Sequence, residues 1–430
     1  MSSEPTSRDT PGEDETPISK RKASGVLVAS AVSAVASLLI TVIAARALPD
    51  PAGYAEFLVF WAMYFGIIGV IAGTQSESTR AVSAASLLPA EQRTGARVMH
   101  AAWLLGTLAA ATVTATAPWW RPTFLPDSSW WVVAVVGLGV LFSAGHFTMV
   151  GSLTGLKHWG SYAWLFGGEG AARLILVCAL GLGMAGQLLG MQAATALPAL
   201  VWLVFAFGTG PGRAAHAARA DVGIRRLLRN SLLAMASSAS WAALVTGYPA
   251  LLRVTGAGED PALLAGTILG ITLTRAPIMI PLQALQGVAI NQFTRSRGRN
   301  LAILFKPMAA VAIIGLVGAG LATLIGPWLV EVFYGAQYAV SGWTLGLLTL
   351  AAVGMASLVL TGAATLGISA HGAYTAGWFL AAVSAFAVSL LPLGLPVRAI
   401  VALFTGPAVG LTVHLTRLVR HRNRIRAATD

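Results

Sequence analysis

Three charged side chains of this sequence read as lying inside apolar runs long enough to cross a membrane. Glu169 and Arg173 are four residues apart, so on a helix they share a face and can neutralise each other. Arg275 has no acid within reach on its own run. Gln286, eleven residues on, falls almost on its face at about 100° per residue, and Gln283 lies further round. A charge at bilayer depth costs at least about 2.5–3.5 kcal/mol, so each of these needs a reason. An ion pair that holds a helix bundle accounts for Glu169 and Arg173. For Arg275 the reading is a water-filled cavity, where a planar guanidinium with five donors suits anionic oxygens. Pro277 and Pro281 follow it, and interrupted helices near the midplane often line binding sites. Arg275, Arg173, Glu169, Gln286 and Gln283 are therefore the candidate substrate-binding residues. Glu169 reads as the sole membrane acid. His146, in another apolar run, reads as a hydrogen-bonded packing histidine, with a proton relay as the rival role.

Other chemistries find little support. Gly181-Leu182-Gly183-Met184-Ala185-Gly186 fits G-x-G-x-x-G, but it ends an apolar run and lacks the strand–turn–helix setting that dinucleotide binding needs. No Walker A lysine motif, H-E-x-x-H or G-x-S-x-G occurs, and no cofactor or metal ion is implied. The single cysteine, Cys178, excludes an internal disulfide framework. These absences and the lack of a sizeable soluble segment point away from an enzyme.

The elements that must position the charges are membrane helices. Of 430 residues, 56% are hydrophobic and only 10% charged, against about a quarter charged in soluble proteins. Apolar runs near 23–45, 54–73, 97–117, 130–151, 162–183, 187–207, 230–252, 262–290, 304–326, 343–365, 373–392 and 397–417 each approach the ~20 residues that a bilayer core requires. The fold class is an all-α membrane protein of about twelve transmembrane helices. The first run is longer than a signal-peptide core, so it reads as a retained helix despite Ala45-Arg46-Ala47. The net charge of +12 is distributed as short basic segments between apolar runs, which is a membrane pattern and not a nucleic-acid footprint.

Lysine and arginine favour one set of loops about fivefold, which places both termini in the cytoplasm of a cell-membrane protein. Trp119, Trp120, Trp130, Trp131, Trp328 and Trp343 gather on the opposite side. The chain also repeats weakly at an offset near 210. Arg46 and Arg253 end the first and seventh runs, Thr79-Arg80 and Thr294-Arg295 close the second and eighth, and Pro118-Trp119 and Pro327-Trp328 follow the third and ninth. Gly160-Ser161-Tyr162 and Gly372-Ala373-Tyr374 open the fifth and eleventh. Six is an even number, so the two halves insert in the same orientation as parallel lobes. The expected organisation is a disordered tail at 1–19, a six-helix lobe at 20–208, a basic linker at 209–229, a second lobe at 230–419 and a basic tail at 420–430. Arg46, Arg80 and Arg253 are gate or lobe-end candidates. The GxxxG spacings, such as Gly69/Gly73 and Gly406/Gly410, read as ordinary helix packing in a chain with 47 glycines.

The stretch Ala44-Ala45-Arg46-Ala47-Leu48-Pro49-Asp50-Pro51-Ala52-Gly53-Tyr54 resembles the junction of helices 1 and 2 in bacterial polysaccharide and lipid-linked oligosaccharide flippases of the multidrug/oligosaccharidyl-lipid/polysaccharide exporter superfamily. Gly155-Leu156-Lys157-His158 up to Tyr162, and Val332-Phe333-Tyr334-Gly335-Ala336-Gln337-Tyr338, are similar too. The resemblance implies two six-helix lobes around a central cavity and alternating access that moves a lipid-linked glycan outward. Its implied partners are an anionic lipid-linked glycan, membrane lipids, and glycosyltransferases or a polymerase of a glycan pathway. The alternatives are a cation-coupled multidrug exporter of the same superfamily and a non-enzymatic membrane partner in glycan biosynthesis. The exporter would favour acidic residues in the cavity, and this sequence offers one beside an arginine. The topology is tested by reporter fusions: Gly258 should read outside and Arg219 inside, and two fusions reporting the same side would overturn the twelve-span arrangement.

Overall fold

The computed structural model describes residues 20–48, 50–183, 188–296, 302–368 and 370–427. The segment 1–19, residues 184–187 with the end of the glycine motif, Arg297 and Arg299 lie outside the described residues. The described elements are helices, with one isolated antiparallel bridge between Arg97 and Arg219. A backbone in lipid must satisfy its own polar groups, and these sequences do so as helices.

In chain order the long helices are α1 (Lys20–Ala47), α2 (Pro51–Ser86, bent at Ala72), α3 (Val98–Ala115), α4 (Trp131–Gly155), α5 (Trp159–Gly183) and α6 (Leu188–Gly208). α7 spans 224–255 in three pieces: an α-helix Ile224–Ala242, a π-helical turn Ala243–Gly247 and an α-helix Tyr248–Thr255. Then come α8 (Pro261–Ser296), α9 (Ala302–Tyr334), α10 (Gly342–Gly367), α11 (His371–Ser389) and α12 (Leu395–Ala427).

Among the described residues, 11 helices are long and apolar enough to cross a membrane. α7 fails that test because Arg225, Arg226, Arg229 and Asn230 crowd its first turns, yet its helical run is about 48 Å long at 1.5 Å per residue. It packs along α2 through close backbone approaches. A Cβ on Gly73 would collide with the Met235 amide nitrogen, one on Gly69 would stand 2.9 Å from the Ala242 Cβ, and one on Gly66 3.2 Å from the Gly247 Cα. Small residues are what allow such approach. α7 is thus the twelfth helix of the bundle.

The two sets of six helices repeat one another in packing. α1 lies on α5 as α7 lies on α11, α2 on α4 as α8 on α10, α3 on α4 as α9 on α10, and α4 on α6 as α10 on α12. The repeat is sharpest at the caps. Asp50-Pro51-Ala52 opens α2 and Asp260-Pro261-Ala262 opens α8. The Asp50 carboxylate accepts from the Gly53 amide at 3.2 Å and the Asp260 carboxylate from the Ala262 amide at 3.1 Å, each with proline in the first turn where no amide is needed.

Several expectations are corrected. The helix expected to be interrupted at Pro277 and Pro281 is continuous from Pro261 to Ser296, and the interruption lies in α7. A proline removes one amide, and a helix packed between neighbours continues through it. Helix 2 does not close at Thr79-Arg80 but runs on to Ser86, and the basic tail from Arg417 is helical to Ala427. The basic linker contains a helix, Gly210–His216, and its last arginines already belong to α7.

Candidate functional site

A cavity of about 250 Å³ lies where the two lobes meet. Ser37 and Thr41 of α1 and Trp61 and Phe65 of α2 face Thr246 and Pro249 of α7 and Ile271, Thr272 and Arg275 of α8. Arg275 is the only charged residue in its described lining. The hydroxyls give their protons back to their own helices: Ser37 to the Ser33 carbonyl at 2.8 Å, Thr246 to Ala242 at 2.8 Å and Thr272 to Ile268 at 2.9 Å. They remain acceptors, and the guanidinium is the strong donor of the site.

The break in α7 determines how Arg275 is held. In an α-helix the Val245 carbonyl would receive the amide of residue 249, and in a π turn the Leu244 carbonyl would receive it. Residue 249 is proline and has no amide. Arg275 Nη1 takes the vacated place, donating to the Val245 carbonyl at 2.8 Å and approaching that of Leu244 at 3.4 Å. Nη2 is buried and has no partner among the described residues. Buried donors normally find acceptors, so a half-met guanidinium beside a cavity invites a ligand.

The other candidates divide. Arg173 is buried and donates to Glu169 through Nη2 and to the Thr195 carbonyl through Nε at 2.9 Å. Its guanidinium lies 5.0 Å from the Phe65 ring centroid. Phe65 also lines the cavity, so the charges divide, as read from the sequence, into a closed pair behind Phe65 and an open cation in the cavity wall. Gln283 and Gln286 lie on α8, but their side chains are outside the described residues. His146 is buried with Nδ1 unpartnered among the described residues, so the hydrogen bond expected there is not made at that nitrogen.

At the end of the bundle read as outer, Arg46 crosses between the lobes. Its Nε donates to the Phe333 carbonyl at 3.1 Å and Nη2 to that of Val332 at 2.5 Å, at the C-terminal end of α9 where carbonyls lack amides. Thr41 and Tyr334 exchange a hydrogen bond at 3.1 Å, and the rings of Tyr54 and Tyr338 meet at 4.8 Å. At the opposite end Arg80 bonds Glu77 at 2.7 Å and Asp221 at 3.0 Å, and Asn230 also reaches Glu77, tying α2 to the start of α7. Arg253 is half-buried in the last turn of α7. Arg398 donates to the Thr255 carbonyl at the end of that helix and pairs with Glu259 at 3.4 Å.

Sequence reasoning missed Glu56. It lies inside the second apolar run and is 1% exposed, so Glu169 is not the sole membrane acid. Glu56 faces away from the cavity, accepting from the Ser128 hydroxyl at 2.5 Å and the Asp127 amide at 2.9 Å, and so pins the loop before α4. Its position within the run was a readable signal; its loop partners were not. Among the described residues no three or more His, Cys, Asp or Glu are placed to hold a metal ion.

No protein-family model matches the chain. The uncharacterized protein Rv1510 of Mycobacterium tuberculosis (strain ATCC 25618 / H37Rv) is 34% identical over 409 residues, 94% of this chain and 93% of that protein. The uncharacterized protein Mb3654 of Mycobacterium bovis is 32% identical over 421 residues, 95% of this chain and 97% of that protein. The chain belongs to their family. The fold of the chain is that of MATE transporters of the MOP superfamily. An inward-facing multidrug resistance MATE family transporter superposes with a TM-score of 0.69 at 14% identity, over 94% of this chain and 99% of the other. An outward-facing MATE structure gives 0.63 at 15% identity over 94% and 96%. A MOP superfamily transporter from Pyrococcus furiosus, described by the reverse polarity of its binding pocket, gives 0.63 at 15% identity over 94% and 96%. This family member is thus a multi-pass membrane protein with that architecture.

The closed pair generates a test. Arg173→Ala strands the Glu169 carboxylate, so it should lose more thermal stability than the double variant Glu169→Gln/Arg173→Ala. The coupling should be on the order of 1–3 kcal/mol in a double-mutant cycle. Simple additivity would rule out a direct interaction.

Proposed function

We propose that this protein moves a lipid-linked anionic glycan precursor across the cell membrane by alternating access between its two lobes. The observation that carries the proposal is Arg275, a buried cation with one nitrogen unpartnered among the described residues, in the wall of an interlobe cavity whose described lining holds no acid. A polyprenyl pyrophosphate offers that guanidinium oxygens in the geometry it favours. Trp61, Phe65 and Ile271 give the rest of the wall an apolar character suited to the first units of a prenyl chain, whose remainder stays in the bilayer. The glycan need not fit in 250 Å³, since only the head group must reach Arg275. The closer superposition on an inward-facing transporter than on an outward-facing one agrees with the Arg46, Tyr334 and Tyr338 contacts that join the lobes at the outer end. Opening these and closing the other end would present the site outward. Glycosyltransferases or a polymerase of the same glycan pathway are the partners this reading carries.

The positive polarity of the cavity also weighs against an exporter of organic cations, which would place carboxylates where Arg275 stands. The buried Glu56 and the half-buried Glu169 face loop 125–129 and Arg173 instead.

The test is flux of a fluorescent prenyl-pyrophosphate-linked sugar in proteoliposomes, normalised to folded protein. Each charge-assisted hydrogen bond lost costs about 1.5–3 kcal/mol, so Arg275→Ala should lower flux per molecule about tenfold or more. Arg275→Lys keeps the charge without the fork and should fall between. Normal flux per molecule in Arg275→Ala would show that Arg275 only braces the helices.

A further inference from the structure

We infer that Pro249 is a positioning residue for the anion site: by leaving the Leu244 and Val245 carbonyls without an amide, it locks the Arg275 guanidinium by one edge and leaves the other for the ligand. This rests on the anion-binding reading above and adds how the site gains its geometry.

The chain of observations is local. Pro249 opens the helix Tyr248–Thr255, directly after the π-helical turn Ala243–Gly247. The two carbonyls whose α or π partner would be residue 249 are the two that Nη1 of Arg275 meets, at 2.8 and 3.4 Å. Thr246, between them and the proline, donates to the Ala242 carbonyl at 2.8 Å, so its hydroxyl does not compete for the vacated carbonyls. In an apolar wall an unmet carbonyl is costly, and so is an unmet guanidinium. Each therefore holds the other. A long arginine side chain otherwise has many rotamers, and one fixed by its Nη1 edge has fewer to lose when a ligand binds. The proline thus destabilises its own helix and preorganises the cation across from it. In α1, the equivalent helix of the first lobe, the helix is uninterrupted from Lys20 to Ala47. At the 210-residue offset that relates Asp50 to Asp260, the partner of Arg275 is Phe65. The proline break and the arginine occur together, in one lobe only.

The experiment measures geranyl pyrophosphate binding by calorimetry and thermal stability on the same purified full-length protein. Pro249→Ala supplies an amide to Val245, so the helix should close and the melting temperature should equal or exceed that of the wild type. Affinity should nevertheless fall about tenfold, the scale of one charge-assisted hydrogen bond lost or misplaced. The penalty of Arg275→Lys should be large in the wild type and small in the Pro249→Ala background, since the fork is no longer held. Ile271→Ala, which enlarges the same cavity without touching these carbonyls, should keep the full arginine-to-lysine penalty. If Pro249→Ala does not accumulate, Pro249→Gly supplies the same amide and takes its place. Wild-type affinity in a stable Pro249→Ala protein overturns the inference and leaves the anion site standing. A wild-type protein that does not bind geranyl pyrophosphate overturns both.

Discussion

Polar groups buried in an apolar medium must find partners within the protein, and at the centre of this bundle the supply is set by one missing amide. Pro249 cannot donate, so the Val245 carbonyl of α7 lacks its α-helical amide, and Arg275 meets that carbonyl and, at longer range, that of Leu244 with one nitrogen. Neither group is tolerable there alone. Their pairing fixes α7 against α8, places a cation at the lobe interface and leaves a nitrogen of that cation unmet among the described residues. The glycine contacts of α7 with α2 lie on the same stretch, so the broken segment touches both lobes at once. A ligand drawn to Arg275 therefore binds where the two lobes are joined.

The two lobes share their frame and differ in what they put into it. Matching Asp-Pro-Ala caps start α2 and α8, and from each cap the same count of residues leads to the cavity, to Phe65 in one lobe and Arg275 in the other. Behind Phe65 the first lobe has its own arginine, Arg173, but Glu169 and the Thr195 carbonyl consume it. The buried charge of that lobe is spent on packing, whereas the second lobe leaves part of its charge open. Arg46 joins the lobes at one end of the bundle by capping the last turn of α9 across the interface, an interaction with exposed groups that can be remade without unfolding either lobe.

Much of this was legible in the chain because hydrophobic length and charge asymmetry are local properties. All twelve helices could be found from them, eleven of the described ones being long and apolar enough to cross a membrane, as could the i, i+4 spacing of Glu169 and Arg173 and the isolation of Arg275. α7 was placed by an apolar run only from 230, since its arginines belong to a turn outside the apolar zone. The prolines show where local reading stops. Pro277, Pro281 and Pro249 all remove an amide, and the sequence singles out the first two because they follow Arg275. Pro277 and Pro281 lie within a helix that runs on through them, whereas Pro249 directly follows the π-helical turn whose carbonyls Arg275 meets. Glu56 was readable as an acid inside an apolar run, but its partners were not, since Asp127 and Ser128 come from a loop about 70 positions away. Phe65, the wall between the closed pair and the open cation, carries no signal of its own in an apolar run.

The central claim is that an anion enters the interlobe cavity and is held by the free edge of Arg275. A cryo-electron microscopy structure of the protein in lipid nanodiscs with geranyl pyrophosphate measures this directly. The account predicts pyrophosphate oxygens within hydrogen-bonding distance of Arg275 while Nη1 remains on the Val245 carbonyl. A pyrophosphate bound at Arg173 in place of Glu169, or an empty cavity with ligand elsewhere on the protein, would contradict it.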